Sequence, residues 1–176
     1  MFILISALAA GAGLYYFQVY AFYEEVPEGR VELTSVVSGL PEPILFEDYE
    51  GIDAESSPLR YRDCFTTGQS QAMLTETYLV YDGAEPRVAP GWFECFDADA
   101  IGAALQGGEA IAFLGVENVT YGIDRVVAVY PDGRGYSWHQ INACGEVVFD
   151  GNPVPEDCPP IPEGGLGGAA EGGVDG

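Results

Sequence analysis

The chain has 176 residues, of which 48% are hydrophobic and 12% aromatic, enough to pack a core and to exclude global disorder. Its 28 Asp and Glu stand against six Arg and no Lys. The resulting charge of −22 repels nucleic-acid phosphates, which excludes a nucleic-acid partner, and leaves basic proteins or divalent cations as electrostatic partners. A salt-adapted surface is the plainer account of the same acidity.

Residues 1–23 predict a single transmembrane anchor in the lipid bilayer. The run Phe2 to Tyr23 carries no charge, with Ser6 and Gln18 its polar members before Glu24-Glu25 ends it. At about 1.5 Å per residue, a helix of that length spans about 33 Å, enough for a bilayer core. It reads as a retained anchor rather than a cleaved signal peptide. No Lys or Arg precedes the apolar stretch, and the Ala7-Leu8-Ala9 match comes too early. Ala7/Gly11 and Ala9/Gly13 are small-xxx-small pairs that let a partner helix approach closely. Tyr15, Tyr16, Phe17, Tyr20, Phe22 and Tyr23 form an aromatic belt suited to the membrane interface.

Residues 24–151 predict one domain, opening with an acidic stalk and a strand at Val31 to Val37. Pro41 and Pro43 punctuate the chain, Ile44-Leu45-Phe46 is a short apolar run, and residues 47–58 read as an acidic loop. Tyr61, Cys64 and Phe65 look core-directed, and Thr75 to Tyr81 reads as a strand. Asp97 is placed to cap a helix at 98–106 that Gly107-Gly108 ends, with Ile101, Ala104 and Leu105 as its apolar face. Ala110 to Gly115 reads as a buried strand. Arg125 to Tyr130 and Gly135 to Ile141 flank Pro131-Asp132-Gly133-Arg134 as a β-hairpin, and Val147 to Phe149 as a last strand. Residues 152–176 form a Pro- and Gly-rich acidic tail.

Cys64, Cys95, Cys144 and Cys158 include no C-x-x-C pair and no neighbouring His, so zinc, thioredoxin-type and haem motifs are unsupported. An even count after a membrane segment fits two disulfides in an oxidising compartment, against the alternative of four buried thiols. Three pairings are open. Cys64–Cys95 with Cys144–Cys158 is favoured because the second bond pins the Pro-rich segment to the domain. The same argument orients the protein, with the N-terminus in the cytoplasm and the domain outside.

No constellation compels a reaction, a cofactor or a metal. His139 is the one histidine, and Ser137 shares its strand face, yet no nucleophile elbow accompanies them. Its default role is structural. Asp97-Ala98-Asp99 starts like a calcium loop but fails at Ile101 and Gly108. Asp48, Glu50, Asp53 and Glu55 could gather a hard cation, though no spacing requires it. Asn118-Val119-Thr120 matches a glycosylation sequon, a frequent pattern. Arg60 and Arg62 read as members of internal ion pairs.

Several stretches together carry a resemblance: FQVYAFYEEV, EGIDAESSPLRYRDCF, PGWFECFDADAIGAAL and VAVYPDGRGYSWHQINACGEVVFDG. Across residues 15–151 the chain resembles an uncharacterised, membrane-anchored family of Rhodobacter-like alphaproteobacteria, classed as a domain of unknown function. The resemblance implies a bacterial inner membrane with the domain in the periplasm, and it transfers no catalytic residue.

The expected fold is α+β: one transmembrane helix, then an antiparallel sheet of about five strands with one short helix, stapled by disulfides. The expected function is non-catalytic, an accessory or assembly subunit of a respiratory or photosynthetic membrane complex joined through the helix. The alternative is a periplasmic docking module for a basic soluble protein such as a c-type cytochrome. A hydrolase using His139 is the third reading.

Overall fold

The structure is a computed structural model and describes residues 2–19 and 23–163. Helix α1 (Phe2–Val19) holds 18 of the residues expected in the anchor. Ile3, Leu8 and Leu14 are 83%, 74% and 61% exposed, so among the described residues nothing covers these apolar side chains. Eighteen residues rise about 27 Å, against about 30 Å for a bilayer core. No helix among the described residues is long and apolar enough to cross a membrane.

The rest of the chain is built on one antiparallel sheet. Its six strands are β1 (Glu24–Glu25), β4 (Glu47–Asp53), β5 (Arg62–Thr66), β8 (Arg134–Ile141), β7 (Ile123–Val129) and β6 (Ile111–Thr120), in that spatial order. A two-stranded ribbon, β2 (Glu32–Thr34) with β3 (Pro41–Pro43), lies outside it. The sheet is buried on both sides, and alternation sorts the side chains. One face carries Phe65, Phe113, Val127 and Val129, packed under Val31, Leu33, Ile44, Leu74 and Tyr78. The other carries Ile52, Cys64, Val126, Ala128 and Trp138, packed under Phe93, Phe96 and Ile101.

Helix α3 (Ala98–Gly107) forms where its caps predict. Asp97 accepts a hydrogen bond from the Ala100 amide at 3.0 Å, and Gly108 takes the left-handed conformation at φ 72° that ends the helix. The β7–β8 hairpin also forms as expected, its turn closed by Gly133 at φ 91°.

Both cysteine bonds of the favoured pairing are present. Cys64–Cys95 ties β5 to the coil before α3, and Cys144–Cys158 ties the Pro-rich segment to helix α4 (Ala143–Phe149). The Tyr121 hydroxyl holds the same segment by donating to the Pro159 carbonyl at 2.9 Å.

Four local expectations are corrected. Residues 47–53 are strand β4, because this acidic stretch pairs along β5 and turns its carboxylates to solvent. Thr75 to Tyr81 is not a strand: Ser70 caps helix α2 (Gln71–Thr77), and only the isolated bridges of Tyr78 and Val80 follow. Val147 to Phe149 belongs to α4, started by Asn142, whose side chain accepts from the Gly145 amide at 2.9 Å. The strand from Val31 shortens to three residues because the chain turns at Gly39, φ 68°, and pairs back through Pro41 and Pro43. Proline is tolerated there because the ribbon is an edge. The domain therefore has three short helices besides α1 where one was expected.

Candidate functional site

Strand register gathers the polar residues of the sheet at one place. Asp63 of β5 pairs with Ser137 of β8, and Arg125 of β7 pairs with His139. Tyr61 precedes β5 on the same face as Asp63. Tyr49 of β4 lies across Gly51, where an added Cβ would collide with its ring; Gly29 leaves room on the ring's other side in the same way.

The contacts form one network. The Tyr61 hydroxyl donates to Asp63 Oδ2 at 2.5 Å and meets the Tyr49 hydroxyl at 3.2 Å. His139 stacks on the Tyr61 ring with centroids 4.7 Å apart, and the Arg125 guanidinium sits over that ring at 4.1 Å. Arg125 Nε donates to His139 Nε2 at 3.1 Å, and His139 Nδ1 lies 2.5 Å from the Pro58 carbonyl. Asp63 and Ser137 are 0% and 1% exposed, and Asp63 Oδ1 and Ser137 Oγ make no hydrogen bond.

Burial sets the electrostatics. It pushes the Asp63 carboxyl above the ordinary carboxylate range, opposed by the Tyr61 hydroxyl and by the charge of Arg125. Burial, helped by nearby Asp63, also raises the Tyr61 phenol. His139 moves the other way, down to about 3, through burial and then the repulsion of Arg125. It is a neutral imidazole whose two nitrogens are both occupied, one donating to Pro58 and one accepting from Arg125.

The hydrolase pairing of Ser137 with His139 is not assembled as a reactive pair. The two share a strand face, but Ser137 is sealed from solvent and the acceptor nitrogen of His139 is taken by Arg125. A general base must reach the proton that it removes. Arg62, expected in an ion pair, instead donates to four backbone carbonyls, those of Leu59, Tyr61, Arg87 and Val88. Carbonyls satisfy a buried guanidinium without bringing a second charge into the core. Burial lowers its pKa to about 10.

The other sequence-derived sites sit apart from this network. Ala7, Ala9, Gly11 and Gly13 are on the surface of α1, and an added Cβ at either glycine would meet nothing within 4 Å. Tyr15 and Tyr16 are exposed on α1 at 62% and 58%, and Tyr20 lies outside the described residues. The Tyr23 ring packs edge-on against Trp92 at 5.9 Å, with the Arg60 guanidinium 5.5 Å from its centroid. Asn118 of the sequon accepts from the Gly122 amide at 2.9 Å and from the Asn142 amide group at 3.2 Å, which gives it a structural role. Among the described residues no group of three acidic, His or Cys side chains could hold a metal ion.

Apart from the network, the surface holds an open cleft of about 450 Å³. Its walls are Glu25 to Pro27, Tyr49 to Ile52 and Trp92 to Cys95. Sequence reading missed both this cleft and the buried network. The one signal for the network was Asp63 standing between the core-directed Tyr61 and Phe65 at strand alternation.

Comparison with curated proteins and with solved structures gives no match. Residues 31–159, most of the chain, match a family of unknown function (DUF6446), and the chain belongs to that family.

Proposed function

We propose that the protein is a non-catalytic accessory or assembly subunit of an inner-membrane complex, respiratory or photosynthetic, anchored by α1 with its domain in the periplasm. The observation that carries this reading is the contrast between the two parts of the chain. Helix α1 is apolar and exposed all round, so it needs either lipid or another helix against it. The domain buries Asp63, Ser137 and His139 within its sheet, and two disulfides brace it for an oxidising compartment. In sequence, the uncharged run that α1 carries continues through residues 20–22.

The test is co-purification from native membranes. Wild-type protein is expected to bring down a defined complex. Gly11→Leu with Gly13→Leu should release the protein from that complex while leaving it membrane-bound, because leucine blocks close backbone approach. Unchanged co-purification of the double variant would exclude a partner helix at this face.

A second reading, docking of a basic periplasmic protein, is favoured by the acidic walls of the cleft.

A further inference from the structure

We propose that the cleft between β1, β4 and the 92–95 coil docks an extended segment of a partner protein that carries lysine or arginine at alternate positions. The inference rests on the accessory-subunit reading insofar as that reading supplies a partner, and it gives the partner a chemistry.

The cleft has the charge for such a segment. Glu25, Glu50 and Glu94 are exposed on its three walls, and no Arg is among the described residues that line it. Opposite charge at this distance steers encounter and fixes register. The spacing suits a strand. Glu25 pairs with Ile52, so Glu50 stands diagonally from Glu25 on the same face. Diagonal positions across an antiparallel pair are about 7–8 Å apart. Alternate side chains of an extended peptide are about 7 Å apart. A basic–x–basic segment therefore presents its charges at the pitch at which the two strands present theirs.

A divalent ion fits less well, because the carboxylates do not converge: no metal-capable group of three exists among the described residues. The bottom of the cleft is apolar, with Ile52 at 1% and Phe93 at 8% exposure, and suits the aliphatic stems of Lys and Arg. Half-buried Trp92 adds an indole wall, the ring best suited to a cation.

The backbone has an opening for a strand as well. β1 is two residues long and covers β4 only at Ile52 and Asp53, with Val26 adding one amide bond to the Gly51 carbonyl at 2.8 Å. Along Glu47 to Glu50 no described strand lies outside β4, whereas the opposite edge, β6, is bonded by Leu79 and Tyr81. β4 shifts register through a bulge along that stretch, with Asp48 at φ 52°, so strand addition beside the groove is confined to a short segment. The walls are also held in place before binding. Cys95 is bonded to Cys64 on β5, and Tyr23 packs on Trp92, which limits the ordering cost of association.

The experiment titrates full-length protein, in neutral detergent, with the peptide acetyl-KVKVKVK-amide and with a shuffled peptide that groups its lysines. The alternating peptide is expected to bind about tenfold more tightly than the shuffled one. Glu25→Gln, Glu50→Gln and Glu94→Gln together should weaken it about tenfold. Glu76→Gln, Glu109→Gln and Asp150→Asn, an equal loss of charge at exposed positions outside the cleft, should change it less than twofold. Equal weakening by both triple variants, or equal affinity for both peptides, would reduce the effect to generic acidity and overturn the proposal. A protein dimer that the cleft variant alone dissociates would put a second copy of the chain in the cleft, and would overturn it too. The titration needs no native complex, and co-purification through α1 needs no cleft, so the two readings can fail separately.

Discussion

Arg125 Nε donates to His139 Nε2 across 3.1 Å, and this one bond decides what the histidine can be. With Nε2 accepting, the proton must sit on Nδ1, where the Pro58 carbonyl takes it. A second proton has no place to go, and the guanidinium repels it.

The first prediction follows from that bond. His139 is held down to about 3 in the fold, whereas an unfolded histidine titrates near 6.5. As pH falls through about 6.5, the unfolded chain takes up a proton that the folded one refuses, so stability is lost toward low pH, by up to about 1.4 kcal/mol per unit. Asp63 contributes equally to wild type and His139→Gln, so in urea unfolding at pH 7.0 and at pH 5.5 the wild type should fare worse toward pH 5.5 than His139→Gln does, by about 1 kcal/mol. An equal loss in both would mean that His139 is not the group responsible.

Asp63 has the opposite sign. Its carboxyl is raised by burial, so the folded state holds a proton that the unfolded chain releases, and stability falls as pH rises above the ordinary carboxylate range. Asp63→Asn keeps an acceptor for the Tyr61 hydroxyl and offers a donor to Ser137 Oγ. It should flatten that dependence and stabilise the domain at pH 8. Asp63→Ala should instead cost about 1–3 kcal/mol, because it strands the buried Tyr61 hydroxyl. Melting temperatures across pH 5 to 9 separate the cases; a less stable Asp63→Asn at pH 8 would contradict this account of the carboxyl.

The slot for Tyr49 gives a packing prediction. A Cβ at Gly51 collides with the Tyr49 ring, so Gly51→Ala should cost about 1–3 kcal/mol. In a Tyr49→Ala background the same change should cost much less, since the two residues are direct neighbours. Additive costs in the double-mutant cycle would place the penalty elsewhere.

The two disulfides should differ in weight. Cys64–Cys95 spans 31 residues and Cys144–Cys158 spans 14. Chain entropy alone assigns about 4 and about 3 kcal/mol to loops of those lengths. Cys64→Ala with Cys95→Ala should therefore lower the melting temperature more than Cys144→Ala with Cys158→Ala, and only the latter should expose the Pro-rich segment to protease. The reverse order would show that loop closure does not dominate.

What was legible in the sequence was whatever local chemistry decides. Asp97 and Gly108 bound a helix by capping, and Pro131-Asp132-Gly133-Arg134 sits between two apolar strands, so α3 and the β7–β8 hairpin could be read directly. The cysteine pairing came from asking which bond would hold a segment with nothing else to bury. Misreadings fell where a partner decides. Glu47 to Asp53 looks like a loop because its carboxylates face water, and only pairing with β5 makes it a strand. Asn142 hides a helix start in front of Val147 and Val148, which alone read as β. The buried network was invisible for the same reason: Asp63, Arg125 and His139 are far apart in sequence, and register alone brings them together. The acidity was legible in the composition, but the placement of Glu25, Glu50 and Glu94 around one cleft was not.

Membership of a membrane complex through α1 can be read from the mass of the species extracted from native membranes in mild detergent. The protein should sediment with the membrane after an alkaline carbonate wash and then run as part of a complex far heavier than its own 18.8 kDa. A carbonate-soluble protein, or a membrane-bound one that leaves the detergent as an 18.8 kDa monomer, would contradict it.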